Sequence, residues 1–592
     1  MIRGSHCLAA VGLFLVGMLA QAEVPLGTKI ENLKFKDIRY LERSLDNFGS
    51  PKAYAIAFTT NACPLAQRYT PVFAALEKEF APQGVQFVFV NTGGADTIMD
   101  MAQFMLDYGV DTPVVKDVHG DVIKALGITR TPQVVLLDAE RKLRYRGRID
   151  DQFRLGGERP EPTRKDLHEA LTELLAGKEI SVPETQAEGC LITYAELPKP
   201  AEPITYNKHI APILNKNCVQ CHHKDGGAPF SLEGFDKAVA YGDMVGEVVS
   251  EERMPPWYAH PEHGTFENDA RLKPEDRLAI EQWVAGGMPQ GDGAAPESPT
   301  FNNAEWRIEP DIIIQARQNN VIASTGFVPY VYTLLPYKFE KDTWVDQIEI
   351  KSSNPRVMHH ANLFYSPHGL DFVRSENFLT GQVPGGAPAT VPPGHALLIK
   401  AGATLGLQLH YVTTGKPEVD RPSVAIRFAR GPITKKLYYK IIDDNKFAIP
   451  PQARAHAVNS FAKMETDSTL IAMFSHMHLR GRDMSFIAHY PDGTKETLMS
   501  LPNYNFNWQL AYHVEPGKKT LPEGTKVEVL SHFDNSAFNP YNPDPNKVIE
   551  EGPQTVDEMM QGFMFYTRNN ETVNMKIDPK TGWEITDVAA NN

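Results

Sequence analysis

Every cysteine of this chain lies within its first 221 residues, at Cys7, Cys63, Cys190, Cys218 and Cys221. The rest of the chain must be held by apolar burial and hydrogen bonds alone, with no disulfide to support a weak core. At 592 residues the chain exceeds what one core serves, and its length suggests about four domain-sized units. Apolar residues make up 42% and charged residues 22%, the composition of an ordinary globular protein. Lys and Arg total 59 against 73 Asp and Glu, a net charge of −14. That balance argues against a nucleic-acid partner, because phosphate binding needs a basic face.

Residues 1–22 carry the pattern of a secretory signal peptide. Arg3 sits in a short basic start, Leu8 to Leu19 form an apolar core, and Ala20-Gln21-Ala22 offers a small-x-small cleavage site. The apolar run is too short to span a bilayer comfortably, and no later stretch approaches spanning length. The expectation is a periplasmic or otherwise exported protein with no membrane span after cleavage.

Residues 25–190 alternate strand-like and helix-like runs. Ala53–Thr59 and Val85–Asn91 read as strands, and Pro64–Phe80 and Ala95–Tyr108 as helices. Gln133–Leu137 and Lys142–Arg146 read as a hairpin, and 164–175 as a closing helix. Such alternation implies an α/β sandwich. A Pro-rich linker at 197–203 precedes a helical stretch, 204–291, and a Gly/Pro-rich linker at 291–299 follows it. From Trp306 onward short β-rich runs alternate with turns, including 343–350, 361–365, 405–411 and 525–530. They predict two all-β sandwiches, 304–435 and 436–575, with a break near 431–444.

Cys218-Val219-Gln220-Cys221-His222 is a CxxCH haem-attachment signature. Two thiols at that spacing reach both vinyl groups of a haem, and His222 follows as proximal iron ligand. A zinc site would need further ligands at matching spacing. Met254, in Arg253-Met254-Pro255-Pro256-Trp257, is the expected sixth ligand, since a Met/His pair raises the potential. His223, His260 and Met288 compete for that role. This stretch resembles small cytochrome c-like domains ending in such a loop, which implies a small all-α fold and one covalently bound haem c.

Four motifs farther on collect imidazole and thioether groups: Met358-His359-His360, Leu409-His410-Tyr411, Ser475-His476-Met477-His478 and Asp557-Glu558-Met559-Met560. Adjacent histidines on a strand point to opposite faces, so His359 and His360 need a bulge or turn to share a metal. His476 and His478 fall on one face. Imidazoles with a thioether suit copper, the thioether favouring Cu(I). In this order and spacing, residues 304–575 resemble the copper type II, ascorbate-dependent monooxygenases, the peptidylglycine α-hydroxylating and dopamine β-hydroxylating enzymes. The resemblance implies two jelly-roll-type sandwiches and two copper ions facing one another across a solvent-filled cleft. It also implies an electron-transfer copper on His359, His360 and His410, and an oxygen-binding, catalytic copper on His476, His478 and Met559. Departures from the family bear on substrate. Met560 stands where the family has a cysteine, Phe474 where the peptide-amidating member has an arginine, and Gln561 and Phe563 where it has asparagine and tyrosine. A peptide C-terminus is therefore not the expected substrate.

The N-terminal region resembles thioredoxin-like redoxins of the AhpC/TSA kind through Thr60-Asn61-Ala62-Cys63-Pro64 and a cis-proline-like Thr131-Pro132. A cysteine opening a helix has its thiolate stabilised by the helix dipole. Ala66 occupies the place of the second CxxC cysteine, and Ile56 that of the peroxiredoxin proline, so neither chemistry carries over directly. Once two thiols go to haem, the even count leaves Cys63 and Cys190 as a redox pair or disulfide. The alternative is an inert domain kept for docking or stability.

The leading expectation is an exported copper monooxygenase that uses O2 on a small-molecule substrate, with the haem passing on electrons from an external donor. Two other readings stand beside it: a non-enzymatic electron-transfer or copper-binding protein, and a thiol–disulfide oxidoreductase led by Cys63.

Overall fold

Ala53–Thr59 is buried along its whole length, as a strand covered on both faces must be. It is a central strand of the α/β sheet. In the computed structural model, which describes residues 24–154, 157–194, 197–301, 305–326, 328–366, 377–383 and 386–586, that sheet has seven strands. Their order is Glu42–Ser44, Lys34–Asp37, Val114–Lys116, Val85–Asn91, Ala53–Thr59, Gln133–Asp138 and Leu143–Gly147. Ala53–Thr59 runs parallel to Val85–Asn91 and antiparallel to Gln133–Asp138. Ile56, Phe58, Val88, Val90, Val135 and Leu137 form part of the core. The signal-like segment and Cys7 lie outside the described residues.

The described chain divides into two compact units. The first holds residues up to Asp37, Leu41–Asp96 and Thr112–Tyr194; the second holds Ile38–Tyr40, Thr97–Asp111 and everything from residue 195 onward. The helix expected from Ala95 begins at Ile98. Thr97 stops it there, because its side chain accepts the Asp100 amide while the Asp100 carboxylate accepts the Thr97 amide.

In the second unit, helices Ala211–Asn217, Phe235–Ala240, Gly242–Ser250 and Pro274–Ala285 pack around Ile210, Leu214, Ile280 and Trp283. This cluster does not take in the whole of 204–291. Trp257, Tyr258 and Phe266 leave it for the core of the second β region, where Trp257 meets Tyr512 edge-on at 4.9 Å. The apolar bulk of the Met254-Pro-Pro-Trp loop is thus spent on a neighbour.

The β-rich part forms two regions, each with its own core. In the first, strands Ile312–Gln315, Ser423–Phe428, Thr343–Lys351 and His395–Ile399 build one sheet. Val331–Lys338, Thr404–Tyr411, Met358–Ser366 and Phe378–Gln382 build the other. In the second, Tyr438–Asp444, Met560–Arg568, Ser468–His476 and Ala511–His513 pair in one sheet. His456–Lys463, Lys526–Phe533, Gly481–His489 and Lys495–Leu501 pair in the other. The changeover is sharp. Lys435–Lys436 pairs with His395–Ile399 of the first region, and Tyr438–Asp444 already belongs to the second. After the second region the chain returns to the first. Ile433 exchanges backbone hydrogen bonds with Met575, and the Trp344 amide donates to Gly582, since Ile577 and Met575 are apolar and pack with Trp344, Ala396 and Ile433.

No helix among the described residues is long and apolar enough to cross a membrane.

Gly562 marks how tightly the second core closes. A Cβ there would lie 2.5 Å from Val529 and 2.9 Å from Phe486. Gly562→Ala should therefore lower stability by about 1–3 kcal/mol, read as a shifted denaturant midpoint with unchanged slope.

Candidate metal centres and thiol pair

The ladder between Met358–Ser366 and Thr404–Tyr411 pairs Met358 with Tyr411 and then His360 with His410, skipping His359. This is a β-bulge, which re-aims a side chain, and it brings His359 and His360 to the same side. One ring nitrogen from each of His359, His360 and His410 lies within 4.8 Å of the others. His360 Nε2 and His410 Nδ1 are 3.2 Å apart. Nδ1 of His359 is buried with no hydrogen-bond partner, and a buried orphan of this kind asks for a ligand.

Strand Ser468–His476 ends on His476, and His478 lies just past it. The two rings are 5.0 Å apart and nearly perpendicular, while Met477 between them is buried in the core. His476 Nδ1 lies 2.6 Å from Gln509 Oε1, and His478 Nδ1 lies 3.2 Å from the Asp557 carbonyl. With oxygen acceptors on both Nδ1 atoms, each ring donates from Nδ1 and keeps the Nε2 lone pair for a metal. Met559 falls between two anchors: Asp557, which holds His478, and Gln561, which pairs with His476.

Burial keeps all these rings neutral, as metal ligands must be. It lowers His410 to about 4, with His359 adding to the effect, and His478 to about 3, with His476 adding. His360 falls well below its usual value through burial, then through His410, His359, His476 and His478. That last effect shows the two groups are electrostatic neighbours.

Phe506 explains how they meet. Its ring centroid lies 6.2, 6.2, 5.9 and 6.1 Å from those of His359, His360, His410 and His478. Asn507 lies against the His359 ring, so a single loop, residues 503–509, touches both groups. Nearby, Phe364 and Phe378 of the first region pack with Phe563 of the second, and Phe474 packs against that cluster. Phe474 and Phe563, the family departures, serve this apolar contact. Below His478, the carboxylate of Glu558, wholly buried, accepts the amides of His478 and Arg480 at 2.9 and 2.6 Å. Burial raises its pKa to about 8.

Phe506, Asn507, Gln509 and Tyr330, whose ring meets His410 edge-on at 5.3 Å, escaped the sequence reading. Only their nearness in space marks them.

At the CxxCH turn, the amides of Cys221 and His222 both donate to the Cys218 carbonyl. His222 Nδ1 lies 3.1 Å from the Phe230 carbonyl, leaving Nε2 for iron. Burial raises Cys218 to about 12, with Cys221 adding, and raises Cys221 as well. Both thiols are free and partly buried. Met254 lies just past helix Gly242–Ser250, its amide 3.2 Å from the Val248 carbonyl. Its competitors have other company: His223 stacks on Phe301 at 4.5 Å, His260 lies 3.3 Å from Asp100, and the Met288 sulfur sits against Gly242.

In the first unit Cys63 caps helix Pro64–Phe80 and Cys190 pairs across from Thr131. The two thiols are hydrogen-bond neighbours. The Thr131–Pro132 bond is cis.

A seven-stranded α/β sheet with a cysteine at the first helix's N-terminus defines a thioredoxin-like domain. Residues 26–146 match the model of the AhpC/TSA family. The thiol-disulfide oxidoreductase ResA of Bacillus subtilis is 32% identical over 92 residues, 16% of this chain and 50% of that one; the chain thus spans half the length of that relative. A hypothetical protein of Sinorhizobium meliloti is 29% identical over 29% of this chain and 96% of its own, with a TM-score of 0.28. A DsbE-type thiol:disulfide interchange protein of Chlorobium tepidum is 17% identical over 26% and 98%, with a TM-score of 0.21.

Gln509→Leu removes the acceptor that orients His476. It should weaken metal binding at the His476–His478 pair about 10–100-fold and leave the His359–His360–His410 group unaffected, as measured by titration calorimetry with Cu(I).

Proposed function

We propose that this chain is an exported copper-dependent monooxygenase-type oxidoreductase that uses O2, with a c-type haem as its electron input. The observation that carries the reading is the bulge that gathers His359, His360 and His410 into one group, beside His476 and His478. The donor set fits copper: five neutral imidazoles, an orphaned buried nitrogen on His359, and a thioether at Met559. When bound, each copper stores one electron, so the pair supplies the two that hydroxylation of a C–H bond by O2 consumes. Cys218 and Cys221 are the residues that would hold the haem, with His222 and Met254 available to ligate its iron, and a haem bound there would supply one-electron transfer.

The chain's own residues set the conditions. Gln509 and the Asp557 carbonyl hold the His476 and His478 rings with Nε2 forward. Glu558 fixes the backbone of His478 and Arg480. The Phe506 ring lies beside rings of both groups. A cavity of about 180 Å³, all within the second unit, reaches His478 between Tyr40, Tyr258, Tyr504, Phe506 and Tyr541. Its aromatic walls suit a small substrate with an apolar or aromatic body.

With reduced, copper-loaded protein and a panel of such substrates, oxygen uptake should accompany hydroxylated product, and His478→Ala should abolish both. If no candidate substrate elicits uptake, the enzymatic reading falls and an electron-transfer or copper-binding role replaces it. Independently, denatured protein from a cytochrome c-maturing host should keep its haem, and the Cys218→Ala/Cys221→Ala variant should lose it.

A second reading, thiol–disulfide oxidoreductase, is favoured by the placement of Cys63 beside Cys190 and by the family match over 26–146.

A further inference from the structure

Cys63 and Cys190 are brought together from positions far apart in the chain by a device that the missing CxxC cysteine would not suggest. Past the closing helix the chain returns to the strand before Pro132, where Cys190 pairs with Thr131 and Leu191 with Arg130. The Cys63 thiol donates to the Thr131 carbonyl at 3.2 Å, so the Cys63 sulfur and the Cys190 backbone meet at one residue, and Cys190 packs against Cys63. Gly189 makes this approach feasible. Its φ is +143°, and a Cβ there would lie 2.0 Å from the Thr131 carbonyl oxygen. Arg130 secures the turn by donating to the Gly189 carbonyl at 2.8 Å.

We propose that Cys63 and Cys190 form a dithiol–disulfide couple that oxidises an external dithiol, with Cys190 the sulfur attacked and Cys63 the leaving group. The proposal rests on the thiol–disulfide reading and is independent of the metals. Access sets the direction of attack: Cys63 is 1% exposed, whereas Cys190 is half-buried and Leu191 beside it is 67% exposed. A small cleft between Tyr69, Pro132, Phe153 and Glu188 lies alongside.

Acidity points the same way. Burial alone would raise the Cys63 thiol, but the Thr131 side chain, Cys190 and the Ala66 backbone outweigh it and bring the thiol below its usual value. Cys190 is pushed up to about 11 by its hydrogen bond to Cys63 and by burial. The more acidic thiol leaves faster, and a stabilised reduced form makes the disulfide a better oxidant.

The steps balance. A substrate thiolate attacks Cys190 Sγ, the Cys63–Cys190 bond breaks, and Cys63 departs as thiolate. The substrate's second thiolate then attacks its own sulfur in the mixed disulfide and releases Cys190. The substrate dithiol loses two electrons and two protons, and the protein disulfide gains them. Exchange with a second disulfide restores the couple.

The test equilibrates the full-length protein in oxidised and reduced glutathione, blocks free thiols with N-ethylmaleimide, and maps the peptides by mass spectrometry. Wild type should give a Cys63–Cys190 cross-linked peptide. Cys63→Ser should accumulate glutathione on Cys190 roughly tenfold more than Cys190→Ser accumulates it on Cys63. The reverse preference, with the cross-link present, would overturn the assigned order of sulfurs while leaving thiol exchange standing. No cross-link at any glutathione ratio, with both cysteines remaining alkylatable, would sink the thiol–disulfide reading itself.

Discussion

One skipped residue in a β-ladder gathers the first histidine group of this molecule. In a regular strand His359 and His360 would lie on opposite faces, one toward the core and one away. The bulge between Met358 and His360 removes that conflict and lets the directly opposed His410 complete the group. Everything beyond it is support. Tyr411, the neighbour of His410, is anchored by Asp420 at 2.7 Å, and Asn320 donates to the same hydroxyl at 2.9 Å.

The second group depends on a different device, a buried carboxylate. Glu558 takes up the amides where the chain turns after His476, and Arg480 reaches the Val556 carbonyl at 2.9 Å and Asn535 at 3.0 Å. Removing one member of such a buried network typically costs about 3–5 kcal/mol, because the others are left without partners. The histidines therefore sit on a frame whose disruption would cost far more than losing one surface contact. That rigidity is what a pre-organised ligand set needs.

Much of this was legible in the residues themselves. Buried strands announce themselves as continuous apolar runs, so four strands of the α/β sheet were read close to their bounds, while the short strands Lys34–Asp37, Glu42–Ser44 and Val114–Lys116 were not seen. The histidine motifs stand out because imidazoles at i, i+1 and i, i+2 are chemically specific. The need for a bulge at His359 followed from strand geometry alone. What escaped notice was set by distance in space. Phe506 and Gln509 lie in an ordinary polar–aromatic loop, and nothing local shows that this loop reaches two histidine groups at once. Trp257 looked like part of a helical domain because its neighbours in sequence are, yet its bulk is buried by Tyr512. The tail after residue 575 was missed because isolated bridges carry no hydrophobic period.

That tail has a mechanical consequence. The second β region begins after Lys436 and ends before the chain rejoins the first region at Met575, so it is an insertion fastened at both ends. A body on one tether can swing or swivel. One on two tethers loses the swivel about a single connection, so the second β region is held in a more restricted orientation relative to the first.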